Sequence, residues 1–210
     1  DVESNAEQDR TISHQLYGGD RDMRISQEIV LGIGGVKLLR ALDRHPAVWH
    51  MNEGHVAFLT LERMREYMAS DGLSLQQAME AVAATTVFTT HTPVPAGNEA
   101  FSLPLIDKYL RPFCQANKID FQTIAGLGLQ AGFQGEKFFS MTVMALKLSC
   151  AANGVSALHG HVSREMWGHL WQDVPYRENP ITSITNGIHT KTWVAPEMAS
   201  LFAQEFGADW

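Results

Sequence analysis

The chain is poor in cysteine, in net positive charge and in long apolar runs, and each shortage removes a class of function. Only Cys114 and Cys150 occur in 210 residues, too few for the disulfide framework of a secreted domain. Both sit in apolar surroundings, PFCQA and LSCAA, so buried free thiols and a reducing, cytoplasmic setting are expected. Sixteen Lys and Arg stand against 23 Asp and Glu, a formal charge of -7. That balance argues against nucleic acid or an anionic membrane as partner, since both need clustered cations to displace counterions. No apolar run approaches the ~18 residues of a membrane span. The opening DVESNAEQDR has neither an initiator Met nor the charged start and apolar core of a signal peptide. A piece of something longer is expected.

Several catalytic signatures are missing too. HExxH and GxSxG do not occur, and GIGG at 32–35 is not the GxGxxG that follows a strand in a dinucleotide site. There is no internal repeat and no low-complexity tract. What remains is 45% hydrophobic and 19% charged, a globular composition. At this length one domain buries roughly 70% of its unfolded surface.

Apolar spacing predicts a helix from Arg24 through Leu42, whose glycines permit close packing, preceded by a loop or arm up to about Leu16. AVWHM (47–51) reads as a buried strand, and Val56 to Met68 as a helix. The pattern then recurs. Ser74 is an N-cap for a helix to Ala84, TTVFTT (85–90) is a β-branched strand, and HTPVPAGNEAF (91–101) a loop. Further helices are expected over Leu105 to Asn117 and Phe138 to Cys150, the latter stopped by Asn153-Gly154 before a strand VSAL (155–158). A helix carrying Met166, Trp167 and Leu170, a strand ITSIT (181–185) and a helix from Pro196 complete the series. Four strands alternating with helices imply an α/β fold with a parallel sheet flanked by helices.

Ligands of such sheets bind beyond the carboxyl ends of the strands. That rule selects Asn52, Glu53 and His55, then His91 and Thr92, then His159 and His161, then Asn186 and His189. No metal is expected, because His50 and His55 are five apart and HGH at 159–161 points alternate ways if extended. A two-carboxylate glycosidase would need a second acid against Glu53, for which Glu99 is available. A neutral polyhydroxyl ligand, a sugar, suits His, Asn and Glu, which donate or accept without requiring ligand charge. Each position also has a structural reading: His55 as a first-turn residue, Glu53 at the positive end of a helix, Asn153 as a helix stop, His91 as a turn residue.

Five segments in order, LYGGDRDMRISQEIVLGIGG, WHMNEGHVAFLTLERMRE, FTTHTPVPAGNEAF, LSCAANGVSALHGHVSREMW and ITNGIHTKTWVAPEM, resemble α-glucan phosphorylases of the branch distant from the animal glycogen enzymes. The resemblance covers nearly the whole chain. It implies the later part, residues 1–210, of the N-terminal, Rossmann-like, glucan-binding domain of a glycosyltransferase-B fold, with the C-terminal cofactor domain absent. The implied activity is release of glucose 1-phosphate from α-1,4-glucan by inorganic phosphate, assisted by pyridoxal phosphate on a lysine of that C-terminal domain.

The same resemblance gives His91 a catalytic and substrate role, contacting the glucosyl 6-hydroxyl and presenting its carbonyl near the anomeric centre. Asn153 shares that hydroxyl, Glu53 and His55 face acceptor sugars, His50 is structural, and Asp20 and Arg24 belong to a cleft loop. Glu53 stands where the animal pattern has Asp, and Thr90 where it has Asn. Two other readings are kept: half of a nucleotide-sugar glycosyltransferase such as a glycogen synthase, and a non-catalytic glucan-binding remnant.

Overall fold

The computed structural model describes residues 2–15, 18–94, 97–132 and 135–210. Leu16, where the expected arm ends, and Pro95 and Ala96, inside the expected 91–101 loop, lie outside the described residues. Helix α1 (Arg21–Ile29) starts where the Asp20 carboxylate accepts the Met23 N–H at 2.9 Å. It runs through one widened π turn, Val30–Gly34, into α2 (Gly35–Ala41). A Cβ on Gly32 would sit 2.7 Å from the Leu59 nitrogen, so this glycine lets the turn rest against the next helix.

Strand β1 (Trp49–Asn52) alternates, with Trp49 and Met51 buried and His50 and Asn52 exposed. The chain continues through α3 (Leu59–Ser70), α4 (Leu75–Ala84) and β2 (Thr86–Thr90). Then follow β3 (Ala100–Ser102), α5 (Leu103–Ala116), α6 (Phe121–Leu127), β4 (Leu129–Ala131), β5 (Lys137–Ser140) and α7 (Met141–Lys147). The last elements are β6 (Ala151–Gly154), α8 (Ala157–Trp167), β7 (Ile181–Ser183), α9 (Thr190–Trp193) and α10 (Pro196–Phe206).

Strands β1, β2, β6 and β7 form one parallel sheet in the order β1-β2-β6-β7. The α/β class and a four-stranded parallel sheet expected from the sequence are therefore present, with three of the four strands where the sequence places them. Met51 and Phe88 from the sheet join Phe58, Met64, Phe139 and Met144 in a core from which water is excluded. No helix among the described residues is long and apolar enough to cross a membrane.

Four details differ from the sequence expectation. Residues 138–140 extend a strand instead of starting a helix, because the Ser140 hydroxyl accepts the Val143 N–H at 3.3 Å and starts α7 only at Met141. That strand belongs to a second, antiparallel sheet, β3-β5-β4, with Phe101 paired to Phe139. VSAL is not a strand: Ser156 caps α8 by accepting the His159 N–H at 3.0 Å, and the strand lies earlier, at Ala151–Gly154. His159 and His161 consequently ride on a helix. Finally, Cys114 is buried, with its thiol pushed up to about 11 by burial, but Cys150 is exposed, its sulfur donating to the Thr86 carbonyl at 3.3 Å.

Candidate functional site

Parallel register turns matching positions of neighbouring strands to the same face. Asn52 pairs with Thr89, Thr89 with Asn153, and Asn153 with Thr182, which makes one polar row across all four strands. At the carboxyl end of that row lies a concavity of about 470 Å³, lined by His50, Asn52, Thr89, His91, Asn153, Ile184 and Asn186. Its lining carries hydrogen-bonding groups and an apolar wall, with no carboxylate or ammonium.

Glu53 is the turning point of the β1 exit. Its backbone has φ +67°, a region that non-glycine residues seldom occupy, while its N–H still donates to the Thr89 carbonyl at 2.9 Å. The strained turn directs its carboxylate toward the β2 exit, where Oε1 accepts the His91 N–H and, at 3.0 Å, the Thr92 hydroxyl. His91 Nε2 lies 2.6 Å from Asn52 Oδ1. Asn153 Oδ1 accepts the Thr89 hydroxyl at 2.9 Å, and Thr89 Oγ1 is 2.8 Å from His50 Nε2. Gly154, next to Asn153, is forced by packing: a Cβ there would stand 2.7 Å from His159 Nδ1 and 2.8 Å from the Gly160 nitrogen.

His91, Asn153 and Glu53 thus come together, whereas His55 goes elsewhere. The single-turn helix Gly54–Val56 swings His55 toward α1, where its Nδ1 is 3.8 Å from Glu28 Oε1. There it lines a second concavity of about 290 Å³ with Arg24, Gln27, Glu28 and Leu31. Burial pushes the Glu28 carboxyl up to about 7, and the hydrogen bond to Glu28 raises the His55 imidazole. Arg24 joins Glu28 at 3.1 Å and Glu99 at 2.9 Å, and Arg21 also pairs with Glu99. Glu99, the second acid considered beside Glu53, is therefore committed to two guanidinium groups. Asp20 is the α1 cap and Arg24 a helical residue; neither lines the larger concavity.

Of the other strand-end residues, Asn52 and Asn186 line the site. His159 is buried with Nδ1 accepting the Val155 N–H, His161 meets Tyr176, and His189 bonds the Thr192 hydroxyl at 2.7 Å. Among the described residues no group of three or more His, Cys, Asp or Glu is placed to hold a metal ion. His50, Thr89 and Ile184 also line the site, although the sequence reading gives His50 a structural place and singles out neither of the others. The signal was available: in WHMN the period of two puts His50 on the same face as Asn52.

The sequence model of the family described as carbohydrate phosphorylase matches residues 29–210. Maltodextrin phosphorylase of Thermococcus litoralis is 45% identical over 211 residues, covering all of this chain and 24% of that protein. Glycogen phosphorylase of Mycobacterium tuberculosis is 41% identical over 225 residues, 100% of this chain and 25% of the relative. Glycogen phosphorylase of Aquifex aeolicus is 34% identical over 98% of this chain and 29% of its own length. The chain spans about a quarter of the length of the first two relatives. With a family match over residues 29–210 and these identities across its length, the chain belongs to the carbohydrate phosphorylase family.

Proposed function

We propose that this chain forms the glucan-facing wall of an α-1,4-glucan phosphorylase, within the N-terminal half of a glycosyltransferase-B fold. The reading is supported above all by the convergence of His91 and Asn153 on one uncharged polar concavity at the ends of adjacent parallel strands. Such a lining suits a polyhydroxyl substrate, because each group exchanges hydrogen bonds with hydroxyls and none requires a charged ligand. The names of the relatives favour phosphorolysis over transfer from a nucleotide sugar.

In this reading His91 contacts the sugar and offers its carbonyl to the charge that develops at the anomeric carbon. Glu53 holds the His91 peptide by its N–H. Pyridoxal phosphate, the cofactor of this family, would supply the phosphate group used in proton transfer. No lysine lines the concavity among the described residues, and the exposed Lys147 donates to the Gly126 carbonyl at 3.0 Å elsewhere. The residues here do not fit as holders of the cofactor, and we assign its Schiff-base lysine to the C-terminal domain. Inorganic phosphate and α-1,4-glucan are the expected co-substrates, in the cytoplasm.

The test is phosphorolysis of maltodextrin by the protein expressed with the remainder of its reading frame, read as glucose 1-phosphate released. His91→Ala keeps the main-chain carbonyl but removes the side-chain contact to the sugar, and should lower kcat/KM by about 10-fold or more. Turnover near that of the parent protein would refute the assignment.

A further inference from the structure

The side chains that face the concavity are held from behind by others on the sheet, and donor and acceptor rules fix what they present. Asn153 Oδ1 accepts the Thr89 hydroxyl proton, and its Nδ2 donates to the Gly154 carbonyl at 3.1 Å. A carbonyl only accepts, so turning the amide over would set two acceptors against each other. Thr89 has one proton and gives it to Asn153, so its lone pairs meet His50 Nε2, which must carry a hydrogen. On β1, with Oδ1 of Asn52 turned to His91, the ring carries its proton on Nε2 and keeps a lone pair on Nδ1. Of this pair, His91 offers the concavity an acceptor, Nδ1, and Asn153 a donor, its second N–H. A single hydroxyl satisfies both, since it donates to the first and accepts from the second.

We infer that His50, Asn52 and Thr89 are positioning residues for sugar recognition. Asn52 sets the tautomer and orientation of His91, and the His50–Thr89 chain sets the amide of Asn153. This rests on the phosphorylase reading and adds to it an ordered polarity: the pair recognises a hydroxyl and disfavours a group that can only donate or only accept. His50, by this argument, is not a passive strand residue.

The experiment is a double-mutant cycle in the protein carrying its full reading frame, with kcat and KM for maltodextrin phosphorolysis and melting temperatures measured for every variant. Asn52→Ala should lower kcat/KM about 10-fold, the cost of roughly one lost hydrogen bond, and should add little in a His91→Ala background. Asn52→Asp keeps an acceptor at the same position and should retain most of the activity that Asn52→Ala loses. Thr89→Val should lower kcat/KM, and Thr89→Ser should restore it.

Losses at Asn52 and His91 that multiply, or an Asn52→Asp protein that loses about 10-fold or more, would overturn the His91 part. A Thr89→Val protein as active as the parent would overturn the Asn153 part. Full activity of His91→Ala would instead sink the phosphorylase site itself, so the two failures are distinguishable. If Asn52→Ala does not fold, the activity of Asn52→Asp against the parent decides.

Discussion

Glu28 is a carboxyl group with almost no access to water, and its neighbours set what its proton does. Arg24 on the same helix, His55 from the turn after β1 and Glu99 from the loop before β3 all face it. Burial dominates and raises its pKa from 4.5 to about 7, so the folded state binds this proton more tightly than the unfolded chain. The stability it provides is complete below the unfolded value and is lost as pH rises through that window. His55, raised by its bond to Glu28, acts with the same sign: its contribution is full below 6.5 and disappears above its folded value. Between pH 5 and 8 the parent chain should lose on the order of 2 to 3 kcal/mol relative to Glu28→Gln. Parallel denaturation curves for the two proteins across that range would contradict this.

The same residues show what was legible at this scale. His91 and Asn153 could be assigned from short motifs next to strands, and the structure places both in one concavity. Glu53 and His55, two apart in sequence, part company because the positive φ of Glu53 redirects the chain, a property of packing that residue type does not announce.

Elements were readable where a side chain marks their start and where apolar spacing is regular. Ser74 is such a mark: its hydroxyl accepts the Gln77 N–H at 3.3 Å while Gln77 reaches back to the Ser74 N–H at 2.9 Å, a closed capping box. Ser74→Ala should therefore cost about 1 kcal/mol, visible as a lower melting temperature, and Ser74→Asp should recover most of it. An unchanged melting temperature for the alanine variant would mean that packing alone holds α4. Ser140 and Ser156 are caps of the same kind, yet apolar residues on both sides of each masked them. Continuous apolar sequence does not say whether it is strand or helix, so Phe138–Ser140 was absorbed into α7 and the Asn153-Gly154 strand end was taken for a helix stop.

For the whole molecule, the parallel sheet was legible because each of its strands is preceded by a helix, α2, α4, α7 and α8 in turn. The antiparallel sheet was not, because its three- and four-residue strands carry no usable period and β3 meets its partner far along the chain, Ala100 opposite Ser140. Burial is equally uneven along the fold. Every residue of Met141–Leu146 is buried, as is every residue of Leu59–Met64, while α10 has no buried residue. Phe202 contacts Phe206 and Trp210, so what α10 has of an apolar cluster is its own. Local opening costs less where fewer apolar contacts must be broken, and a helix of this length is marginal in water without tertiary support. In the isolated 210-residue chain, amides of α10 should exchange with deuterium about 100-fold faster than those of α3 and α7. Joining the remainder of the reading frame should slow α10 selectively if further residues pack on Trp193 and Phe206, which are 77% and 74% exposed. Equal protection of α10 and α7 in the isolated chain would show that α10 is held by something other than the buried contacts described above.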